Sequence, residues 1–282
     1  MVRIIIKLCI AVVVLAIICL LYGFLIEPKI LKTRLVTLEA AHLNEPLRIV
    51  FLSDIHIGGL HVPAKRVGYI VERVNKLDPD VVLITGDFIN GHERRVTHSA
   101  QFNQGIKMGL SHLSKLKSKY GTFTTIGNHD VWYDADFIED VVTQNGVTVL
   151  ANNVSHIRED ICLLGLADHD TQKEDVSVFS KCKAKVIIAM MHSPDSFRLL
   201  RTDTALALAG HTHGGQINIP FIGRRITATS SGRELAYGRV DVSGIPAFVT
   251  AGIGTSILPA RFRAPPEVVL IDLISQTEPS GH

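Results

Sequence analysis

Short apolar runs, each followed by residues typical of turns, recur along most of this chain. They cover residues 48–53, 81–85, 122–126, 186–191, 205–209, 247–250 and 268–273. Runs of this length that are bounded by turn residues predict buried strands. Between the first three runs, apolar residues recur at helical spacing: Val67, Ile70, Val71, Val74 and Leu77, then Ile106, Leu110 and Leu113. Because strands alternate with amphipathic helices, the sequence predicts a layered α/β core.

Residues with metal-ligating side chains directly follow five of the predicted strands. The segments are Ser-Asp-Ile-His at 53–56, Gly-Asp at 86–87, Gly-Asn-His-Asp at 127–130, Met-His-Ser at 191–193 and Gly-His-Thr-His at 210–213. A single residue of this kind usually satisfies local backbone groups. Five together indicate an active site, because ligands of open α/β sheets gather at the carboxyl ends of strands. We therefore expect the five turns to converge on one crevice.

The candidate ligands supply oxygen and nitrogen donors and no thiolate. They are Asp54, His56, Asp87, Asn128, His192, His211 and His213. This mixture suits Mn, Fe, Zn or Co better than a soft copper site or an all-oxygen calcium site. Seven ligands are too many for one tetrahedral ion, but they fit two ions about 3.5–4 Å apart that share a bridging carboxylate. The pairs 54/56 and 211/213 have the i, i+2 spacing that lets both side chains reach one site.

The composition narrows the class of protein. Of the 282 residues, 46% are hydrophobic and 20% are charged, which is typical of a folded chain rather than a disordered one. The 29 Lys and Arg residues nearly balance the 27 Asp and Glu residues, so we expect no nucleic-acid partner. Only Cys162 and Cys182 lie outside the apolar N-terminal stretch, which excludes a disulfide framework and makes a thiolate zinc site unfavourable.

The first residues form an apolar segment that predicts a membrane anchor. Residues 8–26 contain no charged side chain, and a helix of that length, at about 1.5 Å per residue, nearly crosses a hydrocarbon core of about 30 Å. Residues 21–28 lack a small-x-small cleavage site, and no twin arginine precedes the run, so we expect a retained anchor rather than a cleaved signal peptide. The predicted organisation is an anchor over residues 1–34, with a helix at about 8–26, and one domain over residues 35–282. Basic residues flank both ends of the helix, and their balance slightly favours a cytoplasmic domain.

The five polar motifs, in this order, resemble those of the calcineurin-like metallophosphoesterases. Four further features resemble the bacterial branch with an N-terminal membrane segment: His192-Ser-Pro-Asp195, His213-Gly-Gly-Gln216, the run 252–256, and Arg263 followed by Pro266-Glu267. The resemblance covers about residues 46–273. It implies an α/β fold, a four-layer αββα sandwich of two mixed β-sheets flanked by helices, preceded by one N-terminal transmembrane helix. The expected location is the bacterial inner membrane.

The resemblance also implies roles for individual residues. The first metal would be held by Asp54, His56, Asp87 and His213, and the second by Asp87, Asn128, His192 and His211. Asp87 would bridge the two divalent ions, with Mn²⁺ as the expected metal and Fe, Zn or Co as alternatives. His129 matches the family's non-ligand histidine beside the scissile phosphate. Asp130 is expected to fix the tautomer of His129 and to support its charged form.

The predicted activity is metal-dependent hydrolysis of a phosphodiester or pyrophosphate by hydroxide generated at the two ions. Some relatives in this branch cleave UDP-2,3-diacylglucosamine, so the resemblance favours a lipid-linked substrate. Two alternatives stay open: a phosphodiesterase for nucleotides or other non-lipid phosphoesters, and a catalytically silent metal-binding scaffold. A metallo-β-lactamase type of hydrolase is disfavoured, because its His-x-His-x-Asp-His cluster is missing from the sequence.

Other polar residues are interpreted as structural or surface groups. Isolated histidines are expected at the surface, although His61 and His92 are candidates for the rim of the substrate site. The segment 168–170 is interpreted as a solvated turn rather than an edge of the site. Arg261 and Arg263 are interpreted as a surface pair or as contacts for an anionic group. The run 252–256 is interpreted as a structural turn, because it lacks the lysine and glycine spacing of a phosphate-binding loop.

Overall fold

The computed structural model describes residues 1–276, so the last six residues of the predicted domain lie outside the described part. The strands are β1 (Lys32–Ala40), β2 (Leu47–Leu52), β3 (Val81–Ile84), β4 (Thr122–Thr124), β5 (Val147–Val149), β6 (Asn153–Arg158), β7 (Ile161–Gly165), β8 (Val186–Met190), β9 (Thr204–Ala209), β10 (Asn218–Ile219), β11 (Gly223–Arg224), β12 (Gly238–Val242), β13 (Ile245–Val249) and β14 (Glu267–Ser275). The α-helices are α1 (Val2–Leu21), α2 (Ala64–Asn75), α3 (Ala100–Ser111) and α4 (Asn128–Gln144).

The strands form two six-stranded mixed sheets. The first has the order β1-β14-β2-β3-β4-β5, in which only the β14–β2 pair is antiparallel. The second has the order β12-β13-β9-β8-β7-β6, with antiparallel pairs at its two edges and parallel pairs between them. β10 and β11 form a separate two-stranded ribbon.

Three apolar layers hold the sheets and helices together. Phe51 and Leu83 of the first sheet pack against Ile188 and Leu208 of the second, between the two sheets. Helices α2, α3 and α4 pack against the other face of the first sheet. The outer face of the second sheet is covered by two 3₁₀ helices, Val176–Lys181 and Pro194–Leu199. The predicted α/β class and sandwich of two mixed sheets are therefore confirmed.

All seven predicted strands are present, with ends that differ from the prediction by at most two residues. The strands that were not predicted lie mainly at sheet edges. In β1 and β6 most residues are at least partly exposed, so their sequences lack the continuous apolar run of a buried strand. The strand β7 is fully buried and coincides with an apolar run at 161–166 that is not among the predicted strands.

The predicted N-terminal helix is confirmed but begins earlier, at Val2. None of the residues of α1 is buried, and the helix is long and apolar enough to cross a membrane. It continues through a π-helical turn at Tyr22–Ile26 and a 3₁₀ turn at Glu27–Lys29. Pro28 favours this ending, because proline has no backbone N–H group with which to continue the helical hydrogen bonds.

The end of the helix is attached to the folded domain. The buried Glu27 carboxylate accepts hydrogen bonds from the backbone N–H groups of Arg263 (2.9 Å) and Ala264 (2.7 Å). The Gly23 carbonyl accepts from the Arg261 N–H at 2.9 Å, and a side chain at Gly23 would crowd the Arg261 carbonyl. The strand β1 then begins at Lys32, so the predicted boundary between residues 34 and 35 falls inside β1.

A disulfide joins Cys162 in β7 to Cys182, which follows the 3₁₀ helix Val176–Lys181, with Cα atoms 5.7 Å apart. The sequence analysis excluded a disulfide framework and did not predict this single bond. Two cysteines separated by 20 residues give no signal of pairing, because their proximity depends on how the intervening loop folds back over the sheet.

We expect loss of this disulfide to lower the free energy of unfolding by about 3 kcal/mol, because the bond closes a loop of about 20 residues in the unfolded chain. The change is the double substitution Cys162→Ala and Cys182→Ala, measured by urea unfolding in detergent. Replacing the two free cysteines, Cys9 and Cys19, serves as the matched control. Equal midpoints of the unsubstituted chain with and without reductant would contradict the prediction.

Candidate metal centre

The predicted ligands lie in the turns that leave the carboxyl ends of the strands. Asp54 and His56 follow β2, and Asp87 follows β3. The two turns are hydrogen-bonded side by side, from the Asp54 N–H to the Gly86 carbonyl and from the His56 N–H to the Asp87 carbonyl, each at 3.0 Å. The first two turns are therefore held in register beyond the edge of the sheet.

Five of the seven candidate ligands have a left-handed backbone conformation. The φ angles are 51° for Asp54, 51° for His56, 54° for Asp87, 66° for His211 and 52° for His213. Such angles are uncommon for residues other than glycine and carry a conformational cost. In the pairs 54/56 and 211/213, both members adopt this conformation, so each pair lies in the turn beyond its strand, as the i, i+2 spacing requires.

One cluster of donor atoms is formed by Asp54, His56 and His213, whose ligand atoms all lie within 4.8 Å of one another. The Nε2 atoms of His56 and His213 are 3.1 Å apart. The Asp54 Oδ1 atom lies 3.5 Å from His213 Nε2 and 4.0 Å from His56 Nε2. All three side chains are buried.

A second cluster is formed by Asp87, His192 and His211, with Asn128 beside them. His192 Nε2 lies 3.3 Å from Asp87 Oδ2, 3.0 Å from Asn128 Oδ1 and 3.1 Å from His211 Nδ1. The ring of His211 is thus turned so that Nδ1 faces the cluster, whereas His192 uses Nε2.

Asp87 lies between the two clusters. Its Oδ2 atom is 3.5 Å from His56 Nε2 on one side and 3.3 Å from His192 Nε2 on the other. Its Oδ1 atom accepts a hydrogen bond of 3.0 Å from the His129 N–H. The structure therefore brings all seven predicted ligands into one continuous group around the Asp87 carboxylate.

The donor set fits divalent cations. The His192 Nδ1 atom lies 2.6 Å from the Thr85 carbonyl, to which it donates a hydrogen bond, so in the neutral ring Nε2 carries a lone pair that faces Asp87. Burial, with neighbouring positive groups, lowers the pKa of His56 and of His213, so both rings are neutral near pH 7. At His192, against the effect of burial, the neighbouring Asp87 carboxylate raises the pKa of the ring, so positive charge is favoured at this place, as a divalent cation would supply.

His129 lies at the edge of the group and is held by the backbone. Its Nδ1 atom donates a hydrogen bond of 2.5 Å to the Gly91 carbonyl. Its Nε2 atom lies 3.9 Å from Asp87 Oδ2 and 3.4 Å from Ser256 Oγ. The ligand atoms of His56, Asp87 and His129 also lie within 4.8 Å of one another.

Asp130 has a different role from the one predicted for it. Its carboxylate accepts hydrogen bonds from the backbone N–H groups of Phe88 (2.8 Å), Ile89 (3.2 Å) and Gly127 (3.1 Å). Gly91 rather than Asp130 contacts the ring of His129. The reason is local: Asp130 lies in the first turn of α4 and points back towards the N–H groups at the start of that helix.

The sequence analysis missed Asp170 as part of the site. Its Oδ2 atom lies 3.5 Å from His211 Nε2, on the side of the ring opposite the cluster. The buried Asp168 holds this turn by accepting hydrogen bonds from the N–H groups of Asp170 and Thr171. Asp170 is exposed, so the turn is solvated as predicted, but it also forms an edge of the site, which the sequence analysis did not expect. A signal was available, because the segment follows the buried strand β7 as the other ligand turns follow theirs.

We expect Asp170→Asn to weaken binding of the metal at His211 by about 10- to 100-fold, because carboxylates that hold a ligand histidine orient its ring and raise its basicity. The measurement is isothermal titration calorimetry, in which Mn²⁺ is added to the metal-stripped chain. Asp203→Asn, at an exposed ion pair with Arg201, is the control. An unchanged affinity in Asp170→Asn would show that this contact does not support the site.

Two other predicted surface residues are buried. Arg261 has no exposed surface and donates hydrogen bonds to the carbonyls of Gly254, Ala264 and Ala251. His61 is also buried, and its Nε2 atom lies 2.9 Å from the Pro259 carbonyl. The surface interpretation is thus wrong for both residues, because the loop after β13 folds around the side chain of Arg261 and contacts His61 through Pro259.

The run 252–256 is a structural turn, as predicted, and it packs directly on two ligands. A side chain at Gly252 would come within 2.6 Å of the Asp54 Cβ atom, and one at Gly254 within 2.5 Å of the His56 Cβ atom. Gly252 also has a φ of 64°, which favours glycine. Only glycine therefore allows this turn to support the first cluster.

A cavity of about 420 Å³ opens above the two clusters. Its floor contains candidate ligands and His129, and its walls are mainly apolar side chains from the segments 215–228 and 256–258. His92 and Trp132 lie at one side, where the rings of His92, His129 and Trp132 contact one another with centroids 4.6 to 5.0 Å apart. The proposed place of His92 at the rim of the site agrees with this arrangement.

A two-sheet sandwich with histidine, aspartate and asparagine side chains grouped at its strand ends defines a class of metal-dependent hydrolase. The sequence model of the calcineurin-like phosphoesterase family matches residues 47–215. The chain belongs to the calcineurin-like phosphoesterase family, and it is a metal-dependent phosphohydrolase.

Three relatives illustrate the family. An uncharacterized metallophosphoesterase of Helicobacter pylori is 30% identical over 267 residues, which cover 91% of this chain and 67% of the relative. The phosphodiesterase YaeI of Escherichia coli is 26% identical over 242 residues, covering 81% and 83% of the two chains. A transmembrane protein with a metallophosphoesterase domain from Danio rerio is 30% identical over 211 residues, covering 67% of this chain and 45% of that one.

Proposed function

We propose that this chain is a membrane-anchored, two-metal hydrolase of phosphodiester or pyrophosphate bonds, and that its substrate is lipid-linked. The observation that carries the proposal is the position of the Asp87 carboxylate, which contacts a histidine of each cluster through the same oxygen. A shared carboxylate is the arrangement by which two divalent ions are held close enough to act on one phosphate.

The proposed ligands of the two ions share only Asp87. One ion is assigned to Asp54, His56, Asp87 and His213, and the other to Asp87, Asn128, His192 and His211. When bound, two divalent ions lower the pKa of water and neutralise charge on phosphate oxygens. Mn²⁺ is the proposed metal, and Fe, Zn and Co accept the same donors.

His129 is proposed as the residue that acts on the leaving oxygen. The Gly91 carbonyl holds its Nδ1 proton, so Nε2 is the ring nitrogen that faces the cavity beside Asp87. When protonated, this nitrogen can donate a proton to the leaving group or stabilise negative charge on the phosphate. The hydrogen bond also orients the ring, so that Nε2 points away from the Gly91 carbonyl and towards Asp87.

The lipid-linked substrate is proposed from the surroundings of the cavity. The walls are apolar, with Ile217, Ile219, Ile226, Ile257 and Leu258 above the donor atoms. The helix α1, which is long and apolar enough to span a bilayer, would confine this cavity to a membrane surface. UDP-2,3-diacylglucosamine combines a pyrophosphate with acyl chains and is the first compound to test.

The side of the membrane restricts which lipids can reach the site. The basic residues beside α1 favour a cytoplasmic domain in a bacterial inner membrane, and we propose that location. The Cys162–Cys182 disulfide opposes it, because disulfides persist mainly in oxidising compartments. A C-terminal alkaline phosphatase fusion separates the two: an active fusion would place the domain outside the cytoplasm and remove cytoplasmic UDP-linked lipids as substrates.

The decisive experiment incubates the purified full chain in detergent with Mn²⁺ and UDP-2,3-diacylglucosamine and identifies the products by mass. We expect UMP and the lipid monophosphate, with no product from Asp87→Ala. A soluble phosphodiester, bis(p-nitrophenyl) phosphate, is assayed in parallel. Cleavage of the soluble compound alone would retain the hydrolase and reject this lipid.

A nucleotide phosphodiesterase is the second candidate function, and one observation favours it. The rings of His92 and Trp132 lie 4.9 Å apart at the side of the cavity, and Trp132 is partly exposed there. A planar base could stack on such a surface. Turnover of nucleotide diesters that exceeds turnover of every lipid tested would favour this function over the lipid substrate. All seven candidate ligand residues are present in the chain, so a catalytically silent scaffold is not proposed.

A further inference from the structure

The segments 216–228 and 254–264 form one surface, here called the apolar rim. They are joined by hydrogen bonds from the Phe262 N–H to the Gln216 carbonyl (2.9 Å) and from the Asn218 N–H to the Phe262 carbonyl (2.8 Å). The Gln216 side chain adds two more, from the Ser256 N–H and to the Leu258 carbonyl. Four hydrogen bonds therefore join the two segments.

This rim exposes large apolar side chains to an unusual extent. Phe221 is fully exposed, Ile257 is 91% exposed and Ile226 is 80% exposed, and Ile222 and Leu258 are also exposed. Single exposed apolar residues are ordinary, but a group of this size around a cavity indicates an interaction surface.

The charges of the rim point to an anionic partner. The two segments contain four arginines and no aspartate or glutamate. Two of these arginines, Arg225 and Arg263, have exposed side chains, whereas Arg261 is buried. Exposed aromatic and aliphatic side chains combined with basic ones are typical of surfaces that enter the interface of a bilayer with anionic headgroups.

The position of α1 selects the bilayer among anionic partners. The last residues of this apolar helix contact the rim directly: the Gly23 carbonyl accepts from the Arg261 N–H, and the ring of Tyr22 meets that of Phe262 edge to face at 6.3 Å. Leu25 and Ile26, which follow, are exposed beside it. A helix of 20 residues spans about 30 Å, so the rim begins where the helix leaves the hydrocarbon core.

We propose that the apolar rim docks into the headgroup region of the membrane that α1 spans, so that the cavity over the metal centre opens at the bilayer surface. This inference rests on the anchor of the proposed function, but not on the identity of the substrate. The rim also supplies the walls of the cavity, through Ile219, Ile226, Ile257 and Leu258. A lipid headgroup would then reach the donor atoms without leaving the membrane surface.

The test places single tryptophans on the rim of the full chain in vesicles of phosphatidylcholine and phosphatidylglycerol. Phe221→Trp and Ile257→Trp are compared in ordinary and brominated lipids, and the unsubstituted chain gives the background of Trp132, its single tryptophan. The control is Lys117→Trp, an exposed position before β4, at the edge of the sheet opposite the metal centre. We expect loss of emission in brominated lipid for both rim probes and none for the control.

A second variant tests whether the apolar side chains cause the docking. Phe221→Asp in the Ile257→Trp background should reduce the quenching. Made alone, Phe221→Asp should leave hydrolysis of soluble bis(p-nitrophenyl) phosphate unchanged, since Phe221 does not line the cavity. Rim probes that are not quenched, in a chain that resists alkaline extraction and stays active, would overturn the docking alone. Release of the chain by alkaline extraction would overturn the anchor and the docking together. If the unsubstituted chain fails to hydrolyse bis(p-nitrophenyl) phosphate while both rim probes are quenched, the result would count against the proposed hydrolase and support the docking.

Discussion

Asp87→Ala is expected to abolish turnover and to remove both metal ions from the purified protein. The Asp87 Oδ2 atom lies between His56 Nε2 (3.5 Å) and His192 Nε2 (3.3 Å), so each proposed ion loses a ligand. The Oδ1 atom accepts from the His129 N–H, so the start of α4 loses a contact as well. Loss of a negatively charged ligand weakens metal binding more than loss of a neutral one, because the ligand also compensates the charge of the cation.

The measurements are metal content by mass spectrometry and hydrolysis of bis(p-nitrophenyl) phosphate. Asp87→Asn is the matched variant, because it keeps the volume of the buried side chain but removes its charge, and we expect it to fail in the same way. Asp272→Ala, at an exposed ion pair with Arg48, should retain both metal and activity. Full activity of either Asp87 variant would reject the bridging assignment.

His129→Ala is expected to lower kcat by about 10²–10⁴-fold, the usual contribution of a positioned proton donor. We expect the metal content to remain about two ions per chain, because the two proposed ligand sets are complete without this ring. The distinction matters, since the ligand atoms of His56, Asp87 and His129 also lie within 4.8 Å of one another. Metal content and turnover must therefore be measured on the same preparation.

The matched variant is His129→Gln, which can keep a hydrogen bond to the Gly91 carbonyl but cannot act as an acid near neutral pH. Similar losses of kcat in His129→Ala and His129→Gln, with little change in KM, would assign the effect to the proton or the charge of the ring. Loss of one metal ion from His129→Ala would instead make this residue a ligand.

Most of the candidate site followed from residue types and their positions at strand ends. The sequence alone predicted that Asp54, His56 and Asp87 lie together, because the carboxyl ends of the neighbouring parallel strands β2 and β3 lie at one edge of a sheet. The buried strands were equally accessible, since their apolar runs depend on burial of both faces. The edge strand β1 was not, because half of its side chains face solvent.

The residues that support the site could not be placed in this way. Gly91 holds His129 through a backbone carbonyl, which leaves no trace in the residue type. Asp170 reaches His211 only because the turn after β7 folds towards the turn after β9. Arg261 looked like a surface residue because its burial depends on the loop after β13.

The fold class, the apolar helix and the seven candidate metal ligands could be predicted from the sequence, because these depend on periodicity and on chemistry at strand ends. Three features became apparent only in the folded chain: Asp130 binds backbone N–H groups, Cys162 and Cys182 form a disulfide, and Glu27 joins the end of α1 to the loop beside the cavity. The physical reason is that these contacts join residues from different loops. The energy of such contacts depends on loop paths over the surface, which short sequence patterns do not encode.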